Sequence, residues 1–295
     1  MQNSTDLLIT HLKALADPVR LRLLALCVRG EVTVSELTEV TAQSQPRISQ
    51  HLKQLCNAGL LERFRDGQFS YYRLSLGREQ ATQRRRLFAL LPADEPLFER
   101  DFEALCELRA SQGRTLPRQD DEDLRRLHHA LIELTVAAPL GDLLDIGCGQ
   151  GRILKLLGSR AQRAVGVDID ADARQLARAE LLLAGIENCS LRKGDMYKLP
   201  FADGEFDTVL LDDVLATATQ PVAAIKEARR ILKPGGRLLL LAQAGNADLD
   251  ALQKHFVTWC RSANLRLAPP RRVPTREPRW LLAVATPVSS KTEAA

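Results

Sequence analysis

Residues 143–151 read LLDIGCGQG, and this stretch decides the fold of the C-terminal half of the chain. An apolar run closes on Asp145-Ile146, glycines follow at Gly147, Gly149 and Gly151, and RILKLLG then begins with helical apolar spacing. The run predicts a buried parallel strand, and the glycines predict the tight turn after it. Glycine lacks a Cβ, so such a turn takes positive φ and lets a ligand approach the backbone. A second run, AVGVD at 164–168, ends in Asp168, 23 residues after Asp145. A carboxylate ending a second strand is placed to hold both hydroxyls of a ribose. The spacing is G-x-G-x-G, and Arg152 stands where a dinucleotide fingerprint needs its last glycine. A glycine-packed helix N-terminus suits a pyrophosphate. The extra acid, Asp145, would repel a diphosphate and suits instead a cationic nucleoside that carries an amino acid.

The downstream chain continues in order. Residues 194–201 read GDMYKLPF, 206–211 read FDTVLL before Asp212, and 224–241 read AIKEARRILKPGGRLLLL, a helix, a Pro-Gly-Gly turn and a strand. Together with the glycine loop, these motifs resemble the class I S-adenosylmethionine-dependent methyltransferases over about 100 residues. The resemblance implies a Rossmann-like fold, a seven-stranded mostly parallel sheet with helices on both faces. It also implies S-adenosylmethionine or S-adenosylhomocysteine as cofactor. Asp145, Gly147, Gly149 and Gly151 would surround the amino-acid end, Asp168 would hold the ribose and Ile169 would pack on adenine. Asp195 and Met196 would meet the adenine edge, and Asp212 would line the pocket. The segments that build an acceptor site in this fold are lean here: DVLATATQP follows Asp212, and AQAGNADLD follows Leu241. No general base stands out, so no catalytic residue is assigned. Methyl transfer depends mainly on an aligned nucleophile.

The front of the chain has a different grammar. Residues 11–27, HLKALADPVRLRLLALC, space apolar side chains by three and four, with Asp17-Pro18 as an N-cap followed by proline at the first helical position. VSELTEVT at 34–41 predicts a short helix, 42–44 a tight break, and 46–59, PRISQHLKQLCNAG, a third helix ended by Gly59. A strand from Leu60, a turn at Asp66-Gly67 and a return strand FSYYRL at 69–74 predict a β-hairpin. Helix, turn, helix and hairpin make a winged helix-turn-helix (α+β). The text of about residues 8–90 resembles the ArsR family of bacterial transcriptional regulators.

That resemblance implies a recognition helix from about Gln45 to Ala58, with Ile48, Leu52 and Leu55 as its buried stripe. Gln45, Arg47, Ser49, Gln50 and Lys53 then face outward. Arg47 suits guanine, and Gln45 or Gln50 suits adenine. Lys53, Arg63, Arg65 and Arg73 suit phosphates. Many relatives sense metals through a Cys-x-Cys pair on the helix before the turn; here that helix holds neither cysteine nor histidine, so no metal site is expected. In the ArsR family the terminal helices form the dimer interface. The amphipathic stretch 79–91 would take that part, giving a homodimer that reads a palindrome in double-stranded DNA.

Composition agrees with these assignments. Residues 1–92 hold 13 Lys/Arg against 8 Asp/Glu, while the remainder holds 28 against 29. The basic excess therefore sits on the front module, as a polyanion partner requires. Six scattered cysteines form no C-x-x-C pair, which argues against a disulfide framework or a zinc site. No apolar run is long enough to span a bilayer and no secretory signal opens the chain, so a cytoplasmic protein without membrane contact is expected.

The chain reads as an α/β two-domain protein: 1–92 for DNA binding and dimerisation, 93–123 a helical connector, 124–288 the nucleoside-binding domain and 289–295 a disordered tail. The function expected is a DNA-binding regulator, by family default a repressor, whose methyltransferase-like domain binds its nucleoside as an effector. The alternative is an active small-molecule methyltransferase that carries a DNA-binding domain.

Overall fold

The computed structural model describes residues 4–75, 91, 95–111, 122–243 and 249–288. Residues 79–90 of the expected dimerisation helix, most of the connector after residue 111 and the tail lie outside the described residues. The chain divides into two compact units, Met1–Thr115 with Arg178–Glu187, and Leu116–Ala177 with Asn188–Ala295. No helix among the described residues is long and apolar enough to cross a membrane.

In the first unit the 11–27 pattern forms two helices, α1 (Ser4–Leu15) and α2 (Pro18–Arg29). The break between them is the Asp17 cap: its side chain accepts the Arg20 N–H at 3.0 Å, and Pro18 opens α2. Helix α3 (Val34–Thr41) starts on a capping box, in which Thr33 and Glu36 each satisfy the other's backbone N–H. Ala42, at φ 53°, ends it and turns the chain into α4 (Gln45–Asn57). Strands β1 (Val32–Thr33), β2 (Leu61–Asp66) and β3 (Phe69–Leu74) form a sheet in the order β1-β3-β2. Asp66 pairs with Phe69 across a two-residue turn, where Gly67 takes φ 59°. Ile48, Leu52 and Leu55 of α4 are fully buried against Leu23, Leu24 and Leu37.

Helix α5 (Pro96–Ser111), read from sequence as part of a connector, packs into this same core through the fully buried Leu105. Arg22 grips Asp101 with two bonds of 2.7 Å, and Arg109 donates to Glu36 at 2.7 Å and to the Glu31 carbonyl at 2.8 Å. Each of these charged residues is satisfied by a partner distant in sequence. Arg178, in the same unit, donates to Glu31 and Asp66 at 2.7 Å each. Breaking such a buried pair leaves a charge uncompensated and costs about 3–5 kcal/mol.

In the second unit, α6 (Glu122–Ala137) leads into β4 (Asp142–Ile146). Then follow α7 (Arg152–Leu157), β5 (Arg163–Asp168), α8 (Ala171–Leu183, which passes into the first unit at Arg178), β6 (Cys189–Lys193) and β7 (Phe206–Asp212). Helix α9 (Pro221–Ile231), β8 (Leu232–Gln243), α10 (Leu249–Ser262), β9 (Leu265–Leu267), β10 (Arg271–Val273) and β11 (Trp280–Pro287) complete it. The sheet runs β10-β11-β8-β7-β4-β5-β6, seven strands along its path, with the short β9 added on β11. Strands β6, β5, β4, β7 and β8 are parallel, and β11 is antiparallel to β8.

Strand β4 sits between β5 and β7, so the chain reverses its winding direction there. The crevice beyond its carboxyl end is where open α/β sheets take ligands. The Pro-Gly-Gly segment is absorbed into β8 as an irregularity: pairing with β7 jumps from Phe206–Leu232 to Thr208–Arg237. A Cβ on Gly236 would stand 2.9 Å from the Asp207 carbonyl oxygen, so that approach requires glycine.

Leu52→Ala empties a fully buried site and should destabilise the first unit by about 2–5 kcal/mol in a urea titration. Ser49→Ala, on the exposed side of the same helix, should stay within about 0.5 kcal/mol of wild type.

Candidate functional site

At the end of β4 the chain makes its glycine turn, with Gly147, Gly149 and Gly151 at φ 71°, 50° and 80°. The turn hangs from the end of β5: Gly147 and Cys148 donate N–H bonds to the Val167 carbonyl at 2.7 and 3.0 Å, and Gly149 donates to Asp168 Oδ2 at 2.8 Å. Asp168 Oδ1 accepts from the Asp170 N–H at 2.9 Å. Each carboxylate oxygen has a second lone pair, so Asp168 retains acceptor capacity for a pair of hydroxyls. A Cβ on Gly147 would stand 2.2 Å from Val214 Cγ1, whereas a Cβ on Gly149 would meet nothing within 4 Å. The space above Gly149 is open, as a cradle for a ligand must be.

Beneath the turn lies Asp145, 1% exposed, with Oδ1 buried and without a hydrogen-bond partner. Burial pushes its carboxyl well above the usual range; the Asp212 charge adds to this, Arg152 opposes it and Asp168 adds further. An unmade bond on a buried acceptor costs about 1–3 kcal/mol, and an ammonium or other donor would recover it.

Arg152 opens α7, where a cation meets the positive end of the helix dipole. It is held there by Asp212, to which it donates at 2.8 Å. Burial nevertheless raises the Asp212 carboxyl, with Arg152 opposing. Ile169 is 68% exposed directly after Asp168, an apolar side chain open to a planar partner. Asp195 is exposed and accepts the Tyr197 N–H at 2.9 Å, and Met196 packs against the sheet core.

The residues expected from sequence thus fall at the carboxyl ends of β4, β5 and β7 and on the segments that follow β4, β5 and β6, all in one unit. Arg152 and His128 are additions. The position of Arg152 at a helix start was a visible anomaly. His128 gave no comparable signal: it lies in the helix before β4, and its Nε2 is buried with no hydrogen-bond partner. A nucleoside bearing an amino acid fits this donor set. The Asp145 oxygen and the space at Gly149 lie on the glycine loop, and Asp168 with Ile169 ends the neighbouring strand.

In the first unit, Gln45, Arg47, Ser49, Gln50 and Lys53 of α4 are exposed, as are Arg63 and Arg65 on β2. A cleft of about 570 Å³ separates α4 from the hairpin, lined by Gln45, Ser49, Lys53 and Arg63 among others. Arg63 donates to Ser70 at 2.9 Å, which orients it on the wing. Arg73, expected among the phosphate contacts, is corrected by the structure. It is 7% exposed, donates to Glu31 at 2.8 Å and Glu62 at 2.6 Å, and stacks 4.4 Å from the Phe64 ring. Its charge is spent inside the fold, so it offers nothing to a phosphate.

Comparison with known proteins follows the same division. Residues 17–63 match the family described as bacterial regulatory protein, arsR family, and 144–240 match a methyltransferase domain. A 37.1 kDa protein in transposon TN4556 of Streptomyces fradiae is 30% identical over 184 residues, 57% of this chain and 51% of that protein. The ubiquinone/menaquinone biosynthesis C-methyltransferase UbiE of Pseudomonas aeruginosa is 37% identical over 115 residues, 37% of this chain and 44% of the enzyme. The chain spans about half the length of the curated relatives it matches. A SAM dependent methyltransferase from Aquifex aeolicus shares the fold at TM-score 0.50 and 16% identity, over 62% of this chain and 98% of that one. One polypeptide therefore joins an ArsR-family helix-turn-helix to a class I methyltransferase domain.

Proposed function

We propose that this protein is a transcription regulator whose methyltransferase-type domain binds S-adenosylmethionine or S-adenosylhomocysteine as an effector that alters its grip on DNA. The observation carrying this reading is the pairing, within one chain, of a polar recognition helix and a built nucleoside cradle. The helix exposes Gln45, Arg47, Ser49, Gln50 and Lys53. The cradle presents a buried carboxylate oxygen with no partner.

Arg47 with Gln45 or Gln50 reads base edges, and Lys53, Arg63 and Arg65 hold the backbone. A homodimer sets two such helices about 34 Å apart on a palindrome. Leu8, Ile9 and Leu12 support this, since they leave an apolar face of α1 38%, 44% and 50% exposed. Differential affinity of the nucleoside for two states of the DNA-binding unit is the physical requirement. A second reading, methyl transfer to a small molecule, is supported by the 37% identity to the quinone-pathway C-methyltransferases; labelled methyl turnover on thiol, amine and quinol panels tests it.

Asp168→Ala should weaken nucleoside binding at least about tenfold by calorimetry, the size of a lost charge-assisted hydrogen bond. On a duplex selected from random sequence, the variant should keep its ligand-free affinity and lose the ligand response. Unchanged nucleoside affinity would remove the ribose assignment, and a DNA affinity indifferent to both nucleosides in the wild type would remove the effector role.

Lys53→Ala should weaken binding to all duplexes alike and lower the salt slope by about 1, whereas Arg47→Ala should relax sequence preference at one base pair.

Burial raises the Asp145 carboxyl in the free protein, and pairing with the ligand ammonium lowers it again, so binding releases a proton between the two ranges. Affinity should therefore rise with pH through that window. In buffers of different ionisation enthalpy, Asp145→Asn should show less proton release than wild type. Equal release would contradict the pairing.

A further inference from the structure

The segment after β7, residues 213–220 (DVLATATQ), is fastened differently at its two ends. At its start, Asp213 donates its N–H to the Leu241 carbonyl at 2.8 Å and its Oδ1 accepts the Gln243 N–H at 3.0 Å. Val214 packs on the glycine turn at Gly147, and Leu215 is buried. The far end, just before α9, hangs on one phenol. Tyr197 shares a 3.1 Å hydrogen bond with the Thr219 hydroxyl and accepts the Gln220 N–H at 3.3 Å. Among the described residues, no other side chain bonds to Thr219 or Gln220. Between the two ends, Ala216 and Thr217 are exposed. Tyr197 is itself set by Asp195, whose Oδ1 accepts the Tyr197 N–H at 2.9 Å and whose carbonyl accepts the Lys198 N–H at 3.0 Å. Residues 195–198 are thus a closed turn, and the Tyr197 ring packs against the sheet core, seated independently of the loop it holds.

A carboxylate accepts more than one bond. A donor on the nucleoside that engages Asp195 therefore steadies the same turn that aims the Tyr197 hydroxyl. Hydrogen bonds made in reach of water shift an equilibrium only a few-fold, so a small bias decides how often the far end of the loop is fastened. We propose that Tyr197 is a positioning residue that makes the loop 213–220 close when a nucleoside engages Asp195. The proposal rests on the nucleoside reading above and adds the element that occupancy sets. Because fastening and binding then share free energy, each strengthens the other by the same factor.

The test follows elastase cleavage after Ala216 and Ala218 in full-length protein, with fragments identified by mass, beside calorimetry with S-adenosylhomocysteine. Cleavage of a segment that opens locally tracks its open population. Saturating S-adenosylhomocysteine should slow cleavage of the wild-type loop about fivefold. Tyr197→Phe keeps the ring and its packing and loses both bonds. Its loop should be cut about fivefold faster without ligand, the ligand should protect it less than about twofold, and S-adenosylhomocysteine affinity should fall by the factor lost from protection. Thr219→Val, which removes one of the two partners, should fall between. If Tyr197→Phe were cut faster but kept its full protection by ligand, Tyr197 would only hold the loop, and the proposal would be overturned. A loop that stays uncut in Tyr197→Phe would overturn it too. If wild type bound S-adenosylhomocysteine with no change in cleavage, the proposal would fail while the nucleoside reading stood; if it bound none, both would fail together. A melting temperature for each variant within a few degrees of wild type shows that cleavage is read on folded protein.

Discussion

The second unit is organised around one costly group, the buried carboxyl of Asp145. A carboxyl at the end of a central parallel strand, with an oxygen facing no donor, works against folding. Local rules are broken in this way mainly where a chain has chemistry to perform. The surrounding features fit around that cost. The glycine turn leaves open space at Gly149. Arg152 accepts an unfavourable place at a helix start because Asp212 pairs with it. Asp168 braces the turn through Gly149 and remains able to accept more bonds. Each of these departures from an ideal fold points at the same crevice at the winding reversal of the sheet.

The first unit depends on charge in another sense. Arg73, Arg109 and Arg178 are buried together with Glu31, Glu36 and Asp66, and each is matched by bonds of 2.6–2.8 Å. Such a cluster is weak evidence for stability, since desolvation offsets much of the attraction. It does fix the geometry of the elements it joins: β1 through Glu31, α3 through Glu36 and the wing turn through Asp66. The exposed cations, Arg47, Lys53, Arg63 and Arg65, are thereby separated from the structural ones.

Most of the architecture was legible in the chain because its signals are local. The LLDIGCGQG run, the acid closing the next strand, the Asp17-Pro18 cap and the spacing of Ile48, Leu52 and Leu55 each depend on a few neighbouring residues. What sequence reading missed is long-range. Arg73 sits in a strand with three consecutive buried residues, and one of its partners, Glu31, lies 42 positions away. Helix α5 falls in the stretch expected to be a connector, and what ties it to the first unit is long-range: the partners of Asp101 and Arg109, Arg22 and Glu36, are more than 70 residues distant. His128 was invisible for a related reason: nothing in LHHAL tells which imidazole is exposed, and only the fold leaves the His128 nitrogen without a partner.

Ligand recognition in the second unit and DNA recognition in the first form a regulator only if they share free energy, and such a coupling acts equally in both directions. The most direct measurement is therefore a closed cycle at one fixed salt concentration. It comprises operator affinity with and without saturating S-adenosylhomocysteine, and nucleoside affinity with and without saturating operator. The account predicts that the two ratios are equal and differ from one by about fivefold or more. Both ratios at one, with tight binding of each ligand, would show two independent modules on one chain and contradict it.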